Sequence, residues 1–360
     1  MIRFLAGLFF LAAGLTAPAP AAQTPQWQVT LRQASLDLRE QGRATVAATL
    51  RRAPDVAGVS LGTDGRTLMV RFIRGPVAAI LPASPTGQRQ AQIRSAVHQS
   101  AGTGDAGRAI VLEPFATELG LGPHAGDVQA AQLERAGYSV EQLYDQAVTV
   151  AEMQTLSDYN VVDIDTHSGA NQYGEGVIAT GQPYTDDPSL QPWVDEYSVL
   201  PTTVAGSSQL YYGILSRFIT EHMSHFPAGS LVFVNGCDLL RASAVWQALA
   251  QQGVSAMVSW DGVVAPNDAE TSGNLLLADL ASGMPLGTAV SAVQETGYGI
   301  SSLNGATAHL GYLGAGSLML GETVAETAAT PTAPVTPTAI PVPDIMPPAV
   351  RRFGRHYWPF

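Results

Sequence analysis

The chain has 360 residues, 46% of them hydrophobic, with 18 basic residues against 30 acidic ones and a formal net charge of −12. That length can bury at least one large core beside a smaller companion region, and the acidic balance argues against a nucleic-acid-binding surface in the body of the chain. A single cysteine excludes a framework of intrachain disulfides.

The chain opens with Arg3 and the apolar stretch FLAGLFFLAAGL, followed by small residues and prolines around Ala19, Pro20 and Ala21. This reads as a signal peptide over residues 1–22, cleaved near Ala21-Ala22, and predicts an exported protein, extracellular or periplasmic. The apolar run is too short for a good spanning helix, so the mature chain is expected to carry no spanning membrane segment.

Residues 23–105 read as a small N-terminal α+β region with a linker. Residues 28–37 begin as strand, and 38–52 as helix. GVSLGTDGRTLMVRF reads as a hairpin turning at Asp64-Gly65. Residues 84–107 are rich in Ser, Gly, Gln and Ala and predict a linker.

From 106 to 321, strand and helix signals alternate. AIVLEPF is a short apolar run. Residues 127–136 read as a helix capped by Asp127 and closed by Gly137. SVEQLYDQAVTV gives strand near its ends, EMQTLSDYN a short helix, and VVDIDTH a strand. Residues 211–223 place Ile214, Leu215, Phe218, Ile219 and Met223 on one helical face. LVFVN is a strand, residues 242–249 a helix, and VSAMVSW another strand. This alternation predicts an α/β fold, a mostly parallel sheet flanked by helices. Residues 322–360 form a Pro/Thr-rich tail, expected to be disordered, that ends in the basic-aromatic RRFGRHYWPF.

Charge is divided along the chain. Residues 1–108 carry a balance of +7 and residues 109–321 one of −19. An acidic central segment suits a basic substrate or partner, and the tail's Arg351, Arg352 and Arg355 are candidates for an intramolecular contact with it.

The chemistry centres on two strand ends. Cys237 ends LVFVNGC, and His167 ends VVDIDTHSG. In a parallel sheet the loops beyond the carboxyl ends of strands form the functional edge, and neighbouring strands lie about 4.8 Å apart. If these two strands are neighbours, the imidazole can assist attack of the thiol on a carbonyl. Backbone N–H groups near Ser168, Gly169 and Cys237 are candidates to hold the oxyanion. Asp163 and Asp165 share a strand face with His167. Asp165 is a candidate to orient His167 or to bind a basic side chain, and Asp238 and Asp261 are further candidates for a basic substrate residue. Asp186 and Asp187 read as a solvated turn. His222 and His225 read as surface or helix-end residues, and His98, His124 and His309 as loop residues. His98, His124 and His309 show no metal-ligand spacing, and no metal or cofactor is expected. NGCDL does not match a nucleophile elbow. A buried apolar cysteine without chemistry is the competing reading of Cys237.

Residues 109–321 resemble the caspase-like clan of cysteine peptidases, the group of gingipain, clostripain, separase and CHAT-domain proteins. The resemblance rests on THSG and VFVNGC, each closing an apolar strand, and on the following helix and VSAMVSW, which runs into WDG. Clan members commonly have glycine directly after the histidine, where this chain has Ser168, and alanine before the cysteine, where it has Gly236. The resemblance implies a His–Cys dyad, with His167 as proton carrier and Cys237 as nucleophile, and hydrolysis of peptide bonds in a peptide or protein substrate. A catalytically inactive scaffold of the same fold and a self-processing precursor remain alternatives.

Overall fold

Two seven-stranded mixed sheets, flanked by helices, organise the computed structural model. The structure describes residues 24–62, 65–83, 106–119, 125–303 and 305–321. The expected signal peptide, Asp64 of the hairpin turn, the linker over 84–105, His98, His124, and the tail with its contact to the acidic segment lie outside the described residues. No helix among the described residues is long and apolar enough to cross a membrane.

The chain begins with helices α1 (Gln26–Asp37) and α2 (Arg43–Leu50), then strands β1 (Val56–Leu61), β2 (Leu68–Phe72) and β3 (Val77–Leu81). The expected strand over 28–37 is therefore helix. The burial of Trp27, Leu31, Ala34 and Ser35 gives the physical reason, because that spacing makes one helical stripe. Trp27 lays it on the sheet against Phe72 and Tyr184, with ring centroids 5.9 and 5.6 Å apart. The expected hairpin is present as the antiparallel β1–β2 pair, closed by Leu61 opposite Leu68.

Then come β4 (Arg108–Glu113), α3 (Ala116–Leu119), α4 (Ala125–Arg135), β5 (Ser139–Tyr144), α5 (Val150–Gln154) and β6 (Val161–Asp165). Because α4 starts at Ala125, Asp127 stands in its first turn and is not its cap. Gly137, at φ 92°, ends the helix in the left-handed conformation that glycine tolerates. The next strands are β7 (Ser168–Ala170) and β8 (Gly176–Pro183), then α6 (Gln191–Asp195), β9 (Val199–Val204), β10 (Tyr211–Ile214) and α7 (Ser216–His222). The long helix expected over 211–223 is thus a strand followed by seven helical residues. Tyr211 to Ile214 pair with both β9 and β8, and such pairing outweighs the helical spacing of the side chains. The described chain closes with β11 (Leu231–Asn235), α8 (Ser243–Gln251), β12 (Ala256–Trp260), α9 (Pro266–Ala281), α10 (Leu286–Glu295), β13 (Ile300–Leu303) and β14 (Ala306–Gly314). His309, expected in a loop, lies in β14.

One sheet runs β1-β2-β3-β9-β10-β8-β7, so the N-terminal hairpin and the strands after His167 share it through the parallel β3–β9 pair. The other runs β13-β14-β12-β11-β6-β4-β5, in which β5, β4, β6, β11 and β12 are parallel and β14 is antiparallel. Within it the residues alternate faces with a period of two. Ile110, Leu112, Val162, Ile164, Val232 and Val234 join the core under α5, α7 and α8, which continues into α1 and the first sheet. Ala109, Val111, Val161, Leu231 and Phe233 join a second core with α9 and α10.

Candidate active site

Strands β6 and β11 are direct parallel neighbours, with Asp165 opposite Asn235. The two chains therefore leave the sheet side by side at the same edge. From β6 the chain passes through Thr166 and His167 straight into β7 of the other sheet, and His167 is pinned there because its carbonyl accepts from the Ala179 amide at 3.0 Å. From β11 the chain passes through Gly236 to Cys237. The Ser168 hydroxyl donates to the Cys237 carbonyl at 2.8 Å and ties the two strand ends together. His167 and Cys237 line the same cleft, with Asp165, Glu270 and Leu119 among its other walls.

Both side chains are well covered, His167 at 4% and Cys237 at 2% exposure. The open space between the walls is about 30 Å³, room for one or two waters. Phe115 stacks edge-on against the His167 ring at 4.7 Å, which fixes its plane. His167 Nε2 lies 3.6 Å from Glu118 Oε1 of α3, too far for a hydrogen bond but within ion-pair reach. The facing imidazole holds the Glu118 carboxyl below its usual range, against the opposing effect of partial burial.

The remaining sequence candidates separate. Ser168 and Gly169 lie in β7, paired with Ile178 and Val177, and neither lines the cleft. A Cβ on Gly169 would run into the Thr67 hydroxyl, so β7 packs against the N-terminal hairpin. Asp165 lines the cleft. Asp238, next to Cys237, is buried at 1% exposure, sits at φ 63° and donates its amide to the Gly262 carbonyl, outside the cleft wall. Asp261 turns away: its Oδ1 accepts from the His309 amide at 2.6 Å, and its Oδ2 is 3.5 Å from the His309 ring. Asp187 accepts from Ser189 within its turn.

Behind the cleft wall lies a group of buried acids that sequence reasoning found only in part. Glu113 at the end of β4 and Asp163 and Asp165 on β6 share the sheet face beneath α4 and α9, and Glu270 reaches them from α9. Asp163 is wholly buried, and neither of its carboxyl oxygens meets a hydrogen-bond partner among the described residues. Burial, then the neighbouring Asp165 and Glu113, push its pKa well above the carboxylate range. Burial and Glu113 raise Asp165 to about 7, against hydrogen bonds from Gln129 and Asn235. Gln129 donates to Asp165 Oδ2 at 3.0 Å. Burial and Glu113 raise Glu270 to about 6. Asn235 is held in turn by Trp260, whose indole N–H donates to it at 2.9 Å, while its own amide donates to the Ala269 carbonyl.

Glu113 and Asn235 could have been found from sequence, since each is a polar residue closing an apolar strand run. Glu118 and Glu270 could not, since helices bring them to the site. No family model matches the chain, and a search of curated proteins finds no match.

Proposed function

We propose that this chain is an exported cysteine endopeptidase of caspase-like type, acting through His167 and Cys237. The observation that carries the reading is the meeting of these two side chains in one cleft at the ends of adjacent parallel strands. In this reading Cys237 Sγ attacks the carbonyl carbon of the scissile peptide, and its proton passes to His167. His167 then gives that proton to the leaving amine as the C–N bond breaks, leaving a thioester. A water, deprotonated by His167, attacks the thioester carbon. The C–S bond breaks, the proton returns to the sulfur, and the carboxylic product leaves. Phe115 and Glu118 hold the imidazole in place for both transfers. Asp165 and Glu270 on the cleft wall, backed by Glu113, support a preference for Arg or Lys before the cut bond, since an acid wall rewards a guanidinium or ammonium group.

The burial of both groups favours a second reading, in which the chain is a scaffold or a self-processing precursor whose cleft must open before anything binds. A peptide-like thiol-reactive probe separates the two. Labelling of the native chain at Cys237, lost in Cys237→Ala and sharply slowed in His167→Ala, together with loss of peptide cleavage in both variants, is the expected result. Labelling only after unfolding would leave the scaffold reading standing.

A further inference from the structure

Away from the cleft, the structure brings together a second group of chemically competent side chains. Glu196 follows α6, and Glu221 and His222 end α7. One ligand atom from each lies within 4.8 Å of the other two. We propose that these three residues form a binding site for a divalent cation of the zinc type.

The imidazole is prepared for the task. Its ring lies against Trp193 at 4.7 Å and Phe218 at 5.5 Å between centroids. The His222 side chain is only 16% exposed, and its Nε2 faces Glu196 Oε1 at 2.8 Å. Glu196 and Glu221 are 33% and 41% exposed, so the carboxylate side of the site stays open to solvent. A cation can enter there and keep water in its remaining coordination position.

The backbone also fixes the first carboxylate. Tyr197, next to Glu196, sits at φ 62°, a left-handed conformation unusual for a bulky side chain. Arg217 holds the Glu196 carbonyl through a hydrogen bond of 2.6 Å.

One imidazole nitrogen and two carboxylates match borderline divalent ions such as zinc, and carry two negative charges against the ion's two positive ones. In a tetrahedral site with bonds of about 2.0–2.1 Å, ligand atoms stand about 3.3 Å apart. Glu196 and His222 therefore need to part by only a few tenths of an ångström. Glu221 has to leave Arg217, to which it pairs at 2.9 Å. That pair is partly exposed, and such pairs contribute little. The site shares no residue with the cleft. The bound ion would clamp the turn between α6 and β9 onto the end of α7.

The experiment is zinc titration of the full mature chain carrying Cys237→Ala, which removes thiolate binding in the cleft, followed by calorimetry and thermal unfolding. One saturable site per chain with a raised melting temperature is expected. Adding His222→Gln or Glu196→Gln should each weaken binding by about tenfold or more, with circular dichroism checking that each variant is folded. Unchanged affinity in the folded variants, or no saturable binding in the Cys237→Ala chain, would overturn the proposal. Neither outcome bears on the peptidase reading, because the cleft residues are already disabled or untouched.

Discussion

A methyl group has no place at Gly236. A Cβ there would come within 2.5 Å of the Thr166 carbonyl and would strike the Ser168 hydroxyl, which is already committed to the Cys237 carbonyl. The approach of the two strand ends thus explains glycine at a position where the resemblance leads one to expect alanine. Gly236→Ala should lower the unfolding free energy by about 1–3 kcal/mol through overpacking, measured by urea unfolding, and should lower peptide cleavage more than that loss of folded protein explains. A variant with wild-type stability and rate would mean that the two loops are not locked together. Glu118 offers a test of a different kind. Its carboxylate faces His167 but is 41% exposed, so screening keeps its contribution within the range of surface pairs. Glu118→Gln should reduce kcat by up to about fivefold with little change in KM, and the gap should close as salt is raised. An effect that ignores salt would argue that Glu118 acts through packing.

Among the elements, those of the sheet carrying the cleft were the most legible. β11 and β12 are mostly apolar runs because helices cover both faces of the sheet, and β6 differs only in the two acids, Asp163 and Asp165, on one face; such runs stand out in a sequence. In the other sheet only the β1–β2 hairpin is legible. β7 has three residues and β10 four, too short for a period to show, and β10 borders a helical stripe that hides it. Most of α1 reads as strand because Trp27 and Leu31 show their partners only once the hairpin and Tyr184 are in place. Glu118 gave no signal, since it sits in a four-residue helix whose position depends on tertiary packing. The docking of α1 has a measurable consequence. Trp27, 6% exposed, is its main anchor to the first sheet. Trp27→Ala should cost about 3–5 kcal/mol, read from urea unfolding. A loss below about 1 kcal/mol would show that α1 contributes little to the cooperative fold.

At the scale of the whole molecule, the buried acids link stability to pH. Asp163, Asp165 and Glu270 all have folded-state pKa values above those of an unfolded chain, with Asp165 at about 7 and Glu270 at about 6 against ordinary values of 3.8 and 4.5. Between the unfolded and folded values the native state keeps protons that the unfolded chain has released, so stability falls as pH rises through that window. It levels off only after the folded-state groups have ionised. Glu118 is shifted downward and contributes the opposite slope, but as a single half-exposed group. The chain should therefore be less stable at pH 7 than at pH 5, the reverse of what paired surface carboxylates produce. Asp163→Asn keeps the shape, removes the most deeply buried ionisable oxygen, and relieves Asp165 of a neighbouring carboxyl. It should raise stability at pH 7 and flatten the slope between pH 5 and 7, measured by urea unfolding at a series of pH values. If the same acids also recognise a basic side chain, a bound arginine-containing peptide should reduce the destabilisation at pH 7 in the parent chain by pairing with the ionised cleft wall. A stability profile that rises from pH 5 to 7, in the parent and in Asp163→Asn alike, would show that these carboxyls are already ionised and paired in the folded chain, and the acid wall would then have no unmet charge to offer a substrate.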